Sequence, residues 1–312
     1  MGTAELACPS LIALHESNGV DVVAVVTQPD RPRGRKLQLE SSSVKQCAQE
    51  IDLPLLQPET LRADAAQGSL VQLKPDLIIV VAYGQILPSA ALQLPRHGCL
   101  NVHTSLLPKY RGAAPIQWAL LNGDLETGVT IMRMDAGLDT GDIVALTRIR
   151  IEADDNAQKL HDRLAEIGAE LLLKTIPDYV RGEIKLVPQP MVGSSYARKI
   201  LKEDGRMDWS MSANSLIRRI RAFTPWPGAF TELPSGRQRL LKIWEAEVID
   251  GDGPAGEVIV ADELGMVVAC GEQALRVTTV QRDGGKRMAA SDFLRGSQLE
   301  SGLVLGGIIP AE

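Results

Sequence analysis

In its N-terminal half the chain reads Asp76-Leu77-Ile78-Ile79-Val80-Val81-Ala82, an apolar and mostly β-branched run that starts with a charged residue. Runs of this kind are typical of strands that are buried on both faces, as in parallel sheets. Residues 21–27 have the same character, and Cys99–His103 and residues 128–134 predict a third and a fourth strand. We therefore expect a sheet built from the first 150 residues.

The segments between and after these strands predict helices. They are residues 6–16, 43–50, 66–73, 114–121 and 154–180. In the last of them Leu160, Leu164 and Ile167 recur at the spacing of one helix face. Alternating strands and helices predict an α/β fold with an open, mostly parallel, Rossmann-like sheet.

The chain starts with Met1-Gly2-Thr3, which resembles the turn that normally follows the first strand of such a sheet. We expect that first strand to lie upstream of Met1. A fold that opens with a helix is the alternative.

Residues 183–204 contain Pro188, Pro190 and Gly193 without periodicity, which is typical of a linker. From residue 205 onward a helix over 212–221 is followed by five short predicted strands: 229–233, 239–248, 257–261, 265–270 and 274–281. Short strands separated by turns indicate a small OB-like β-barrel. The predicted organisation is an α/β domain over residues 1–182, a linker over 183–204 and an OB-like domain over 205–312.

Composition limits the classes of protein. The 312 residues carry 33 Lys and Arg against 39 Asp and Glu, so the formal net charge is −6 and a polyanion would have to meet a local basic cluster. The sequence has neither an apolar run of roughly 18 residues, as a membrane span requires, nor a basic and apolar leader. Its four cysteines are widely spaced without a C-x-x-C pair. We expect a cytoplasmic protein without a metal site, and nothing in the sequence demands more than a monomer.

The third predicted strand carries the side chains with the most informative chemistry. Alternation places Asn101, His103 and Ser105 on one face, at the carboxyl end of a parallel strand, where ligand sites of open α/β sheets lie. An amide beside an imidazole can stabilise an oxyanion and move a proton, as acyl transfer requires. Taken alone, the same pair fits a structural histidine and a turn-forming asparagine.

An acidic loop, Asp135-Ala136-Gly137-Leu138-Asp139-Thr140-Gly141-Asp142, follows the fourth predicted strand. Taken alone, it is explained as a turn. Because it leaves the sheet after a strand, we expect it to reach the same edge, where a carboxylate could orient His103 and keep it able to donate a proton.

Four segments of the chain resemble the N10-formyltetrahydrofolate-dependent formyltransferase family. They are Asn101-Val102-His103-Thr104-Ser105-Leu106-Leu107-Pro108, Gly137-Leu138-Asp139-Thr140-Gly141-Asp142, residues 109–116 and residues 221–230. The similarity is greatest to its members that act on methionyl-tRNA, and it covers essentially the whole chain. It implies an enzyme that transfers the formyl group of N10-formyltetrahydrofolate to the α-amino group of methionyl initiator tRNA for translation initiation.

The same resemblance implies roles for individual residues. Asn101 and protonated His103 stabilise the oxyanion, and Asp139 holds His103; no metal is implied, and the amine of the substrate is the nucleophile. Folate binding is assigned to Tyr83, Gln85, Ile86, Leu87, Ser105, Leu106, Leu107 and Pro108. tRNA binding is assigned to four cations of a Pro- and Gly-rich loop, Arg31, Arg33, Arg35 and Lys36, which could neutralise phosphates.

Two alternatives stay open at this point. One is a formyltransferase of the same fold that acts on an amino sugar or another amine, since the catalytic residues handle only the shared folate half of the reaction. The other is a truncated, non-catalytic protein that binds RNA or folate. The basic loop favours tRNA over a sugar, and the intact catalytic motifs argue against loss of activity.

Overall fold

A computed structural model of the chain describes residues 1–33, 38–234, 240–297 and 299–306. The chain divides into two compact units. The first comprises Met1–Pro115, Leu125–Ile151 and Leu160–Arg198, and the second comprises Ile116–Asp124, Glu152–Lys159 and Lys199–Glu312. Within the described ranges, no helix has the length and apolar character needed to cross a bilayer.

The strands described up to residue 198 are two to eight residues long. They are β1 (Val25–Val26), β2 (Arg31–Arg33), β3 (Gln38–Glu40), β4 (Leu55–Leu56), β5 (Ile78–Val80), β6 (Cys99–His103), β7 (Arg111–Gly112), β8 (Glu126–Arg133), β9 (Ile143–Arg150) and β10 (Tyr196–Ala197). The predicted third strand is confirmed with its limits unchanged, as β6.

Helices separate most of these strands, as predicted. They are α1 (Cys8–Glu16), α2 (Ser43–Glu50), α3 (Asp64–Leu73), α4 (Ser89–Gln93), α5 (Pro115–Asn122) and α6 (Ala157–Val180), and a 3₁₀ turn over Glu5–Ala7 precedes α1. Helix α2 begins where the Ser42 hydroxyl accepts the backbone N–H of Lys45. Helix α6 buries Leu160 and Leu164 completely, and at Gly168 it approaches strand β6 so closely that an added Cβ would lie 3.0 Å from Val102 Cγ1.

The central sheet of the first unit has the order β5-β6-β8-β9. Strands β5 and β6 are parallel, with Val80 opposite Asn101, and β1 pairs with β4 in parallel as a separate two-stranded sheet. The expectation that residues 128–134 continue the parallel sheet was wrong, because β8 runs antiparallel to β6. Strand β9, which the sequence analysis missed, forms an antiparallel pair with β8.

The space between β1 and β5 is partly filled by the first two residues. The Gly2 N–H donates to Val26 O at 3.0 Å, and the Val81 N–H donates to Met1 O at 2.9 Å. Beside them lies a cavity of about 370 Å³ with a largely apolar lining that includes Leu14, Val25 and Ile78. Met1 and Gly2 therefore connect the pair β1 and β4 with the pair β5 and β6 through backbone hydrogen bonds. Beside them the cavity separates β1 from β5.

The second unit is built around one antiparallel sheet. Its elements are α7 (Ala213–Ala222), β11 (Ala229–Glu232), β12 (Leu240–Ile249), β13 (Val258–Asp262), β14 (Gly265–Ala269), β15 (Ala274–Arg282), β16 (Arg287–Ala289) and α8 (Ala290–Arg295), with a 3₁₀ turn over Lys202–Gly205. The order is β11-β12-β15-β14-β13, and β16 also pairs with β15. The five predicted strands and the predicted helix α7 are confirmed, whereas β16 and α8 were missed.

The core of the second unit forms between this sheet and its two helices. Leu216 and Ile220 of α7 and Phe293 of α8 are buried in one cluster with Leu241 of the sheet. Helix α7 starts at Ser212, whose hydroxyl accepts the N–H of Ser215. Its apolar residues lie three and four positions apart, so one face of the helix packs on the sheet.

The predicted linker contacts the first unit over much of its length. Val187 pairs with Ile143 of β9 through two backbone hydrogen bonds, and β10 pairs in parallel with β7. Residues 183–198 are accordingly counted with the first unit. The domain limits drawn from the sequence stay a prediction.

Candidate active site

Strand β6 carries two of the three predicted catalytic side chains. Asn101 and His103 are two residues apart and share one face of the strand, and each is less than a tenth exposed. Because β5 and β6 are parallel, the loops after both strands leave the sheet at one edge. The predicted folate-binding segments, residues 83–87 and 105–108, follow these two strands, so topology places them at that edge.

The hydrogen bond of His103 fixes its tautomer. Nε2 lies 2.8 Å from the backbone carbonyl oxygen of Tyr110. A carbonyl only accepts, so Nε2 carries a hydrogen and donates it. The other ring nitrogen, Nδ1, lies 3.9 Å from Asp139 Oδ2. Nδ1 is therefore the atom through which this imidazole can take up and release a proton.

The carboxylate of Asp139 joins the two side chains of β6. Its Oδ1 accepts a long hydrogen bond of 3.4 Å from Asn101 Nδ2, and its Oδ2 accepts the backbone N–H of Gly112 at 2.8 Å. The structure thus brings together Asn101, His103 and Asp139, although Asp139 follows Asn101 by 38 residues in the sequence.

The route by which Asp139 reaches this place differs from the expected one. Because β8 is antiparallel, its last residue, Arg133, lies opposite Leu100 near the start of β6. The acidic loop therefore leaves at the far end of β8 and turns back. At its return, a Cβ on Gly141 would lie only 1.7 Å from Arg133 O, so the turn requires glycine.

Polar contacts hold the acidic loop in shape. The Asp135 carboxylate accepts the N–H of Gly137 at 2.9 Å and the hydroxyl of Thr140 at 2.7 Å. Asp139 itself has a φ of +52°, in the left-handed region that non-glycine residues seldom adopt. A conformation of this kind persists where surrounding contacts determine it, and it is common at functional sites.

Hydrogen bonds to Thr130 of β8 attach residues 105–108 to the sheet. Ser105 is fully buried, and its hydroxyl donates to Lys109 O at 2.6 Å. The hydroxyl of Thr130 in β8 donates to Ser105 O at 2.7 Å and accepts the N–H of Leu107 at 3.2 Å. Of the predicted folate-binding residues here, Ser105 and Leu107 are buried, while Leu106 and Pro108 are partly exposed. These hydrogen bonds hold the segment on the sheet, and its side chains offer little polar surface.

The segment after β5 presents a mixture of buried and exposed groups. Tyr83 and Leu87 pack in the core, and burial raises the pKa of the Tyr83 phenol to about 12. The Tyr83 carbonyl accepts the amide of Gln28 at 2.9 Å. Gln85 Nε2 donates long hydrogen bonds to the carbonyl oxygens of Pro58 at 3.4 Å and Glu59 at 3.3 Å. The Ile86 side chain is 75% exposed. A ligand here would meet backbone groups and the Ile86 side chain.

The predicted tRNA-binding loop begins on a short hairpin of β2 and β3. Arg31 is exposed and pairs with Glu59 at 2.7 Å. At the base of the hairpin, Asp30 accepts Lys45 Nζ at 2.7 Å, which lowers the pKa of the Asp30 carboxyl below its usual range. The Arg33 side chain, Arg35 and Lys36 lie outside the described residues.

Sequence reasoning missed the residues that surround Asp139 from the other side. Gln189 lies between the Asp139 loop and Arg111, and the Ser195 hydroxyl accepts the N–H of Tyr110 at 2.9 Å. All three residues were outside the predicted site, and two of them lie in the predicted linker. The sequence feature that could have identified Gln189 is its position as a polar residue between Pro188 and Pro190. In the ranges that the structure describes, no group of three or more His, Cys, Asp or Glu side chains is placed to hold a metal ion.

Comparison with known proteins finds matches over most of the chain. Residues 2–176 match the family described as formyl transferase, and residues 199–298 match the formyl transferase C-terminal domain. The methionyl-tRNA formyltransferase of Geobacter metallireducens is 47% identical over 306 residues, which cover 98% of this chain and 97% of the relative. The methionyl-tRNA formyltransferase of Myxococcus xanthus is 48% identical over 302 residues, or 97% and 95% of the two chains.

A solved structure shows the same fold at lower identity. The N-formyltransferase from Helicobacter canadensis, in complex with folinic acid and dTDP-3-aminofucose, aligns with a TM-score of 0.62 and 19% identity. The alignment covers 88% of this chain and 97% of that one. The likeness concerns the fold alone.

Proposed function

The chain belongs to the formyl transferase family, and we propose that it transfers the formyl group of N10-formyltetrahydrofolate to the α-amino group of methionyl initiator tRNA, giving formylmethionyl-tRNA. The observation that carries this proposal is the convergence of Asn101, His103 and Asp139 at the sheet edge. Relatives that are 47–48% identical over nearly the full length bear the name methionyl-tRNA formyltransferase, which supports the choice of acceptor.

The proposed reaction forms one bond and breaks another. The methionyl amine nitrogen bonds to the formyl carbon, the bond from that carbon to N10 of the folate breaks, and a proton passes from the amine to N10. Asn101 Nδ2 donates to the formyl oxygen as negative charge develops there. Protonated His103 donates from Nδ1, first to the oxyanion and then to the leaving N10, since Nε2 is already engaged with Tyr110 O. Nδ1 then takes up the proton that the amine nitrogen releases.

Asp139 has two tasks in this scheme. Its carboxylate lies on the Nδ1 side of His103 and so stabilises the ring while it carries the proton. Its Oδ1 also orients the amide of Asn101. The Gly112 N–H fixes the carboxylate for both tasks.

The residues present fit a folate. The formyl oxygen needs donors, which Asn101 and protonated His103 supply, and a flat ring needs an apolar cover beside backbone groups. Ile86, which is 75% exposed, offers that cover after β5. We propose that Tyr83, Gln85 and Leu87 contribute mainly through their backbone, and that Ser105, Leu106, Leu107 and Pro108 form the opposite wall. The folate supplies the activated formyl group.

The acceptor tRNA requires positive charge that the chain as a whole lacks, since its net charge is −6. We propose that Arg31, Arg33, Arg35 and Lys36 provide it by neutralising phosphates near the aminoacyl end. Contacts of this kind position the nucleic acid without reading its sequence. The Arg31–Glu59 pair would have to open or be shared, which costs little because both side chains are exposed.

We further propose that the protein acts in the cytoplasm, where an aminoacyl-tRNA is available, and that it acts as a monomer. In support, Asn101, His103 and Asp139 all come from one copy of the chain and lie within its first unit. Light scattering after size-exclusion chromatography, at the protein concentration of the assay, tests the monomer.

The test is formyl transfer from N10-formyltetrahydrofolate to methionyl initiator tRNA, with wild type beside His103→Ala. We expect transfer by the wild type and a loss of about a hundredfold or more in kcat for the variant. His161→Ala is the matched control, because that histidine lies on α6, pairs with the neighbouring Asp162 and makes none of the contacts of Asn101 or Asp139 described above. Transfer only to an amino-sugar nucleotide would replace the acceptor, and no transfer by a folded wild type would refute the proposal.

A further inference from the structure

Gln189 makes a set of hydrogen bonds that uses its whole amide. Its Nε2 donates to the carbonyl oxygens of Asp139 at 2.9 Å and Gly141 at 2.8 Å. Its Oε1 accepts Arg111 Nη2 at 2.8 Å and Nε at 3.1 Å. Because carbonyl oxygens face one terminal atom and guanidinium N–H groups face the other, the orientation of the amide is determined.

The location of Gln189 in the chain favours a local role. Its neighbours Val187, Pro188 and Pro190 are exposed, whereas Gln189 itself is partly buried. The backbone of this segment is attached to β9 through the pair of hydrogen bonds between Val187 and Ile143. The side chain is thereby directed from a fixed backbone onto the acidic loop.

Gln189 contacts two segments that position the carboxylate of Asp139, the acidic loop and strand β7. On one side the amide holds the backbone of Asp139 itself, where φ is +52° and the conformation needs support. On the other side it holds Arg111, whose neighbour Gly112 donates its N–H to Asp139 Oδ2. A closed ring of contacts thus runs from the loop backbone through Gln189 and β7 to the carboxylate.

We propose that Gln189 is a positioning residue, which holds the Asp139 carboxylate against His103 Nδ1 and Asn101 Nδ2. This inference rests on the proposed function of those three residues. Gln189 acts through Asp139 and needs no contact with either substrate. A shift of about 1 Å in a catalytic group costs up to about a hundredfold in rate, so the contact has a measurable effect.

Two substitutions separate the parts of this role. Gln189→Leu removes every hydrogen bond while keeping a similar volume. Gln189→Glu keeps an acceptor for Arg111 but places a carboxylate oxygen against two carbonyl oxygens. We expect kcat to fall about tenfold to a hundredfold in both, with the KM of each substrate within about threefold of wild type. Wild-type kcat in Gln189→Glu would overturn the proposal.

A double-variant cycle tests whether the effect passes through Asp139. If it does, Gln189→Leu combined with Asp139→Asn loses no more kcat than Asp139→Asn alone. A loss equal to the product of the two single losses would show an independent, merely structural effect and overturn the proposal. Gln72→Leu is the matched control, because Gln72 is exposed on α3 and the same substitution there leaves kcat unchanged.

A measurement without substrate distinguishes this inference from the proposed function. Hydrogen exchange at the Gly112 amide, followed by NMR, reports the bond to Asp139 Oδ2. We expect faster exchange at this amide in Gln189→Leu and no change at amides of the central sheet, such as Val102. Unchanged exchange at Gly112 would refute positioning, whereas failure of the wild type to formylate methionyl-tRNA would refute only the proposed function.

Discussion

Asp139 Oδ2 lies 3.9 Å from His103 Nδ1, while the opposite nitrogen of the same ring, Nε2, is bonded to Tyr110 O at 2.8 Å. The ring is thus fixed by the backbone on one side and faces a carboxylate on the other. At 3.9 Å the two groups can form a direct ion pair when the ring is protonated, and a small movement converts the approach into a hydrogen bond.

The charge of Asp139 is tested by Asp139→Asn. The asparagine oxygen can still accept the Gly112 N–H, so the loop stays in place, while the charge and the acceptor for Asn101 Nδ2 are lost together. We expect kcat to fall about a hundredfold to a thousandfold, with little change in the KM of the tRNA. Steady-state kinetics and a urea unfolding curve check both statements. A reduction in kcat of less than about threefold would assign the carboxylate a structural role.

The substitution Gly112→Ala tests whether the close approach of β7 and β10 is needed for activity. It has a φ of +109°, and an added Cβ would lie 2.7 Å from Tyr196 Cε2 and 2.8 Å from Ala197 O. Gly112→Ala should therefore displace the N–H that binds Asp139, lowering kcat at least about tenfold and unfolding free energy by more than about 2 kcal/mol.

Gly193→Ala is the control for Gly112→Ala. Gly193 also has a positive φ, +85°, but nothing lies within 4 Å of its added Cβ. The control isolates backbone strain, so we expect a cost of about 1 kcal/mol and an unchanged kcat. Equal effects of the two substitutions on kcat would contradict the importance of the contact with β10.

Alkaline pH should destabilise the fold through its buried thiols. Burial raises the pKa of Cys99 to about 12 and that of Cys270 to about 11, against an ordinary value of 9.0. Above pH 9 the unfolded chain loses these protons and the folded chain keeps them, so the unfolding free energy falls as pH rises. Each thiol contributes a slope of up to about 1.4 kcal/mol per pH unit in this window.

Urea unfolding in a reducing buffer between pH 8 and pH 10.5 measures this slope. Cys99→Ala should lower the stability at pH 8 by creating a cavity, yet show a shallower decline above pH 9. A parallel pair of curves for wild type and Cys99→Ala would show that Cys99 does not titrate as inferred.

Arg31 tests the tRNA-binding loop. If it contacts a phosphate, Arg31→Ala should raise the KM of methionyl-tRNA about threefold to tenfold at low salt, with kcat unchanged. The slope of log KM against log salt concentration should fall by about one. Glu59→Gln is informative beside it, because it frees Arg31 from its ion pair and should lower the KM. A salt slope that is identical in wild type and Arg31→Ala would exclude this contact.

The sequence predicted those parts of the fold that rest on continuous apolar runs. Strand β5, Ile78–Val80, lies inside the apolar run over residues 76–82, and that run identified it. Strand β9 alternates between buried or half-buried and exposed positions and contains Arg148 and Arg150, and this weaker pattern was missed. The hairpin of β8 and β9 was missed with it, and the direction of β8 is given by its antiparallel pairing with β6.

The candidate site was predictable to a similar extent. Asn101 and His103 follow from alternation along one strand, but the approach of Asp139 depends on a loop that folds back at Gly141. The contribution of Gln189 depends on tertiary contacts of a segment with no periodicity of its own. No local pattern encodes such a contact, so residues 183–204 read as a linker.

The segment after β5 combines core side chains at Tyr83 and Leu87 with an exposed Ile86. An inhibitor that pairs with the backbone of this segment would therefore meet groups that most point mutations leave unchanged. Substitutions at the two core positions that move this backbone would also cost stability. Escape from such a compound is consequently confined largely to Ile86, and a compound that makes no contact with that side chain would give resistance few routes to arise.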